Sequence, residues 1–268
     1  MPGSQRSVSH RPVSRRPLVV AIDGPSGSGK STVSRIVASR LALEYLDTGA
    51  MYRAVCWACL ERGVDLADEA AVTDVARGLD LEMGTDPDAT FVRVDGREVG
   101  RDIRTTQVSA AVSIVAANQG VRAELRRRQR DIIAQARTGA RGGVVAEGRD
   151  ITTVVAPDAD VRVLLTASEN ARLARRAREV HGSDDASALA ATHDQVVRRD
   201  ADDSRVAQFL EAADGVVRLD SSGLTLEETV DSVIAVIAEH AHIDGVELVG
   251  KDLLVELAAE SVGAGRGA

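Results

Sequence analysis

The eight residues Gly24–Ser31, reading GPSGSGKS, satisfy the phosphate-loop pattern GxxxxGK(S/T) in full. Glycines at that spacing let the backbone curl until several N–H groups converge on phosphate oxygens. A helix starting near Lys30 would aim its positive dipole end at the same point. Lys30 can reach the outer phosphates of a nucleoside triphosphate, and the Ser31 hydroxyl can ligate Mg²⁺. The candidate ATP-binding set is Gly24, Pro25, Ser26, Gly27, Ser28, Gly29, Lys30, Ser31 and Thr32. Lys30 and Lys251 are the only lysines among 33 basic residues. A lysine retained at position 30 in so arginine-biased a chain marks a place that needs a compact ammonium rather than a planar guanidinium.

A second group of residues suits an anionic acceptor. Asp47–Arg53, reading DTGAMYR, follows a short apolar run, and Arg53 there can clamp a phosphate. Gly148-Arg149-Asp150 follows another such run; Arg149 can hold a phosphate and Asp150 can accept from a donor group. Arg172, Arg175 and Arg176 share one helix face, either as a solvated surface or as a lid face that neutralises a transferring phosphoryl group. Arg198, Arg199, Asp200, Asp203 and Arg205 add charge further on.

The elements that must position these groups are legible as alternating strands and helices. Leu18–Asp23 and Leu43–Asp47 read as buried strands, and Lys30–Leu41 and Thr48–Leu60 as helices. Gly143–Glu147, Asp160–Thr166 and Val216–Asp220 complete the strand set. Thr225–Glu228 forms a capping box before an amphipathic helix carrying Val230, Val233, Ile234 and Ile237. This alternation predicts a parallel α/β sheet with ligands at the strands' carboxyl ends. Between residues 64 and 112, Leu79–Met83, Thr90–Val94 and Arg97–Val99 read as an antiparallel insertion turning at Asp95-Gly96. Ser113–Arg137 reads as one helix with a basic second half. Ser168–Arg205 is too polar for a core and reads as a lid.

Composition narrows the classes. Net charge is −8, which argues against a nucleic-acid binder. There is no uninterrupted apolar run of about 18 residues, so no membrane span is expected. Residues 1–17 read as a basic disordered tail without a signal peptide, and 246–268 as an extension. The two cysteines, Cys56 and Cys59, lie in an apolar helical stretch with no second ligand pair, which reads as packing in a reduced, cytoplasmic chain. A switch GTPase would need a guanine-reading Asn-Lys-x-Asp; the only asparagines, Asn118 and Asn170, sit in no such motif.

Five blocks together resemble bacterial cytidylate kinases, members of the nucleoside monophosphate kinases: Ile22–Thr32, Leu46–Arg53, Ile103–Thr105, Arg126–Arg130 and Glu147–Asp150. The likeness runs from about Leu18 to Ala238. It implies that Arg53 and Arg149 hold the acceptor's phosphate and that Thr48 and Tyr52 line its pocket. It further implies that Ser113, Arg122 and Asp150 contact cytosine, and that Asp203 binds ribose with Arg199 nearby. The chain departs from the family pattern at Thr152 and Ala156, where Gly and Phe are usual, and at Arg205, which stands one residue early.

The expected fold is thus an α/β P-loop kinase: a parallel sheet flanked by helices, with a small antiparallel acceptor-binding insertion (64–112) and a helical lid (168–205), inside one domain spanning 18–245. The expected reaction is transfer of the γ-phosphate of ATP to CMP, and to dCMP, with Mg²⁺, by a monomer. Lys30, Arg53 and Arg149 are the candidate catalytic residues, and Arg172, Arg175, Arg176 and Arg205 the lid arginines. UMP as acceptor, or a nucleotide-binding regulatory module without turnover, are the alternatives.

Overall fold

The computed structural model describes residues 17–183, 185 and 211–243. Residues 1–16, the later part of the expected lid with Arg199, Asp203 and Arg205, and the extension 246–268 lie outside the described residues.

Five strands form a wholly parallel sheet: β1 (Leu18–Asp23), β2 (Glu44–Asp47), β6 (Gly143–Gly148), β7 (Val161–Thr166) and β8 (Val217–Asp220). Their order is β2-β6-β1-β7-β8. The first strand therefore lies in the middle, and the chain leaves it in one direction for β2 and later in the other for β7. Between such diverging connections a crevice opens at the carboxyl edge. Register brings Asp23 beside Gly148 and Asp47 beside Glu147, so the loops after β1, β2 and β6 start at one edge.

The apolar run of β1 is continuous because both its faces are covered. Val19 and Ala21 pack with α2 (Thr48–Glu61), α3 (Glu69–Gly78), α4 (Thr106–Ala117) and α5 (Gln119–Thr138). Leu18, Val20 and Ile22 point the other way, toward α1 (Lys30–Arg40) and α7 (Leu226–Ile243). The period-2 alternation of strand side chains thus divides the core into two layers around one sheet. Cys56 and Cys59 are buried in the first layer, as packing residues. The capping box before α7 is formed: Thr225 N–H donates to Glu228 Oε2 at 2.8 Å and Glu228 N–H to Thr225 Oγ1 at 3.2 Å.

The insertion holds the expected antiparallel sheet, β3 (Leu81–Met83), β4 (Val92–Val94) and β5 (Arg97–Glu98). Asp95 (φ 51°) and Gly96 (φ 76°) are both left-handed, the backbone a two-residue I′ hairpin requires. Two expectations need correction. The insertion also contains α3, whose N-cap Asp68 accepts from Ala71 N–H at 3.0 Å. The single helix expected over 113–137 is two helices, α4 and α5, and the expected boundary at 112/113 falls inside α4. Asn118 makes the break: its side chain caps α5 by accepting from Gly120 and Val121 N–H at 2.9 and 3.2 Å. The same side chain donates to Glu69 O and accepts from Thr73 Oγ1, fastening α3 to the break.

No described helix is long and apolar enough to cross a membrane.

Candidate active site

The loop after β1 is built as its sequence demands. A Cβ on Gly24 would stand 2.2 Å from Leu165 O, so only glycine lets the loop pass β7. Gly29 caps α1 at φ 86°, a left-handed conformation that favours glycine, and offers no side chain to the helix's first N–H groups. Those donors stay available for an anion. Lys30 Nζ lies 3.4 Å from Pro25 O, folded back along the loop.

Beyond the loop opens a cleft of about 570 Å³. Among the expected nucleotide- and acceptor-binding residues it is lined by Ser26, Gly27, Gly29, Lys30, Ser31, Thr32, Thr48, Tyr52, Arg53, Arg122, Arg149 and Asp150, and from the lid by Arg176. Eight basic side chains and four acidic ones line it, a local excess of positive charge inside a chain of net charge −8. That field favours a polyanionic ligand small enough to enter.

Four of the acceptor-side residues, Thr48, Arg53, Arg149 and Asp150, are tied to the scaffold. Asp47 caps α2 by accepting from Ala50 N–H at 2.9 Å, and Thr48 Oγ1 donates to Glu147 O at 2.7 Å, which fixes the start of α2 against β6. Arg53 Nη1 donates to Ser109 Oγ at 3.0 Å and to Ile103 O at 3.4 Å. Arg149 Nη1 donates to Gly24 O at 2.6 Å, joining the β6 edge to the phosphate loop. Asp150 is buried and its Oδ2 collects three hydrogen bonds: from Arg122 Nη2 at 2.8 Å and from Arg126 Nε and Nη2 at 3.1 and 2.8 Å.

Several residues are placed otherwise than the sequence suggests. Ser113 is not part of the cleft wall. Helix α4 turns Val112 and Ala116 toward it, and a residue one step along a helix is rotated by about 100°. Pro25, Ser28 and Gly24 shape the loop from behind. Among the lid arginines, Arg172 donates to Ser26 O at 3.0 Å, and Arg175 to Ser28 O at 3.2 Å, Ser221 O at 2.6 Å and Ser221 Oγ at 2.9 Å. Both brace the outer side of the phosphate loop from α6 (Glu169–His181), while Arg176 faces the cleft. Burial pushes the pKa of Arg175 down, the cost of seating it among carbonyls.

Sequence reasoning missed three carboxylates and an arginine. Asp23, buried at the end of β1, accepts from Ile151 N–H at 3.0 Å, Thr152 N–H at 2.8 Å and Thr152 Oγ1 at 2.7 Å. It thereby anchors the π-turn Ile151–Val155 that follows Arg149 and Asp150. Burial raises its pKa against those bonds. Glu147 accepts from Ser31 Oγ at 2.7 Å. Burial first, and Asp47 next, push its carboxyl up to about 7, against the pull of Lys30. Asp47, across from it, completes an acidic pair at the cleft floor. Arg126 was legible only as part of a basic run. The signal for the carboxylates was present: an acid ending an otherwise apolar strand sits at the ligand edge of a parallel sheet.

A phosphate loop at the central strand of a five-stranded parallel sheet, facing a second basic pocket across one cleft, defines a P-loop nucleotide-binding enzyme of the small-molecule kinase type. The family model for cytidylate kinase matches residues 20–239. The cytidylate kinase of Cutibacterium acnes is 48% identical over 223 residues, covering 83% of this chain and 96% of that protein. The cytidylate kinase of Streptomyces avermitilis is 44% identical over 223 residues, covering 83% and 93%. The chain belongs to the cytidylate kinase family and is an ATP-dependent nucleoside monophosphate kinase.

Proposed function

We propose that the enzyme transfers the γ-phosphate of ATP to CMP, and to dCMP, giving the diphosphate and ADP. The observation that carries this reading is the convergence of Gly27, Gly29, Lys30, Ser31 and Thr32 with Arg53, Arg149, Arg122 and Asp150 on one cleft. In this reading the loop and Lys30 bind the donor's phosphates, and Arg53 and Arg149 bind the acceptor's phosphate. Arg176 approaches from the lid, with Arg205 assigned there from sequence. Thr48 and Tyr52 line the nucleoside pocket; Arg199 and Asp203 are assigned to the ribose from sequence alone.

The acceptor's phosphate has a second pKa of about 6, so its attacking oxygen is already largely ionised at neutral pH. No general base is needed. Catalysis then rests on aligning two anions and neutralising their charge in a loose transition state, which is what a lysine and several arginines at fixed positions supply. The bond from Arg149 to Gly24 O fixes the acceptor's clamp relative to the donor's loop.

The residues present fit Mg²⁺. Ser31, hydrogen-bonded to Glu147, with Asp47 opposite, is a hard-oxygen donor set of the kind Mg²⁺ uses together with substrate phosphates. Because the Ser31 proton points to Glu147, its lone pairs are left for a cation. No group of three or more His, Cys, Asp or Glu side chains placed to hold a metal occurs among the described residues. When bound, the ion supplies charge neutralisation of the phosphates.

Base choice rests on Asp150. Two arginines hold its carboxylate in place, so it can accept from the exocyclic N4 amine of cytosine; uracil presents a carbonyl there, which a carboxylate repels. A panel of CMP, dCMP, UMP, AMP and GMP with Mg-ATP, followed by ADP release, tests the proposal. CMP is expected to give the highest kcat/KM. A higher value for UMP, or ATP binding without acceptor-dependent turnover, would overturn it.

A further inference from the structure

Three of the eight basic side chains that line the cleft, Arg35, Arg101 and Arg104, have no task in the reading above. Arg35 donates to Pro87 O at 3.3 Å, and Arg101 is exposed. Arg104 belongs to Ile103-Arg104-Thr105, one of the five blocks on which the family resemblance rests, and to the short helical turn Asp102–Arg104 that joins the insertion to α4. The base of this arginine is fixed. Ile103 before it is fully buried, and its carbonyl accepts from Arg53 Nη1 at 3.4 Å; Thr105 after it caps α4 by accepting from Val108 N–H at 3.5 Å. The head of Arg104 is loosely held. Its Nη2 lies 3.4 Å from Asp47 Oδ2, with the Arg104 side chain 61% exposed.

The placement of that pair and its weakness point the same way. Arg53 is the clamp assigned to the acceptor's phosphate, and its guanidinium meets the carbonyl one residue before Arg104. A phosphate that Arg53 holds therefore lies within reach of a long side chain starting at the next residue. Asp47 uses Oδ1 to cap α2, so it offers Arg104 one oxygen and a single long contact, not the paired bonds that make arginine–carboxylate pairs strong. An exposed pair of this kind contributes little, so leaving it costs little. A phosphate carries more charge than a carboxylate and can accept two parallel N–H bonds, which draws the guanidinium to it.

We propose that Arg104 is a third guanidinium for the acceptor's phosphate, kept on Asp47 until the acceptor enters and then transferred to the phosphate beside Arg53 and Arg149. This rests on the reading that Arg53 and Arg149 bind the phosphate of a nucleoside monophosphate. Asp47 and the phosphate compete for one cationic head, so removing the charge of Asp47 and removing Arg104 act in opposite directions. A pair that served only to hold the insertion against β2 would weaken binding whichever partner was removed.

The test is calorimetric titration of the full chain with CMP and with cytidine, without ATP or Mg²⁺, for the wild type, Arg104→Gln, Asp47→Asn and the double variant. Asparagine keeps the cap on α2 and Arg104 is exposed, so each single variant should melt within about 2 °C of the wild type. Arg104→Gln should weaken CMP binding about five- to twentyfold and leave cytidine binding unchanged. Asp47→Asn should tighten CMP binding about two- to fivefold, and that gain should vanish in the Arg104→Gln background. Weaker CMP binding in both single variants, an equal loss for cytidine, or the same gain from Asp47→Asn with and without Arg104 would overturn the proposal. If the wild type bound no CMP, the acceptor reading would fail by itself; inorganic phosphate titrated against the same four proteins would still decide the role of Arg104, by the same signs.

Discussion

Asp150→Asn separates the two tasks assigned to that carboxylate. The change keeps the shape and one carbonyl acceptor but removes the charge that Arg122 and Arg126 share through Oδ2. Arg122 has a side chain only 5% exposed and cannot turn to water; Arg126, at 23%, can in part. Removing one partner of a buried ion pair costs about 3–5 kcal/mol, and the retained carbonyl and the escape of Arg126 put this case near 3 kcal/mol. For a domain of this size that is a fall in melting temperature of about 6–12 °C. Separately, a charge-assisted hydrogen bond to the cytosine amine is worth about 1.5–3 kcal/mol, so the preference for CMP over UMP should shrink roughly 10- to 150-fold. Coupled ADP release, measured for both acceptors at saturating Mg-ATP and well below the new melting temperature, reads the second number; calorimetry reads the first. Equal loss of kcat/KM for CMP and UMP would refute the base-reading role, and an unchanged melting temperature would refute the arginine clamp.

Lys30→Arg keeps the charge but replaces a compact ammonium by a branched plane in a loop closely packed against α6, and turnover should fall by at least tenfold; near wild-type activity in the coupled assay would remove Lys30 from the donor site. Thr152→Val deletes the hydroxyl bond to Asp23 and should lower the melting temperature by several degrees, about 1.5–3 kcal/mol for a bond to a buried carboxylate, while Thr152→Ser should restore it. Equal melting of the two variants in calorimetry would show that the hydroxyl is idle. Burial pushes the Cys56 thiol up to about 12 and raises that of Cys59 as well, so neither should be alkylated by iodoacetamide in the native protein at pH 8, though both should be in denaturant. Rapid native labelling in a mass spectrum would place one of them at the surface.

The sheet was readable because its physics is local. A strand covered on both faces must be apolar along most of its length, and β1 and β6 are until the acid near their carboxyl ends, while β7 is interrupted by Arg162 before its terminal Thr166; glycines, lysine and serine in fixed order then mark where the chain turns toward a phosphate. The acidic ends of the strands were harder, because an acid after an apolar run reads equally as a turn residue. Only the register that sets Asp47 beside Glu147 shows the pair. Helix α3 escaped because its apolar face is narrow and an aspartate-rich surround resembles loop. The break at Asn118 depends on tertiary bonds to Glu69 and Thr73 that no window of sequence contains. The arginines of α5 read as a basic run. In the structure Arg126 holds Asp150, Arg128 caps the carbonyls of Ala76, Arg77 and Leu79, and Arg130 binds those of Val154 and Val155.

That last arrangement bears on why so acidic a chain uses so many arginines. A guanidinium carries five donors in one plane, and around this site several of the arginines direct them at backbone carbonyls. Arg172 and Arg175 hold the carbonyls of the phosphate loop, Arg149 holds Gly24, and Arg130 holds the end of the π-turn that Asp23 anchors at its start. Each bond gives a loop or turn carbonyl a fixed partner, so that these segments are held in place by the arginines beside them. The donor loop and the acceptor edge are thereby one braced unit, with Asp23 and Arg149 as its cross-links. A kinase whose rate depends on the alignment of two anions needs that distance held before either substrate binds.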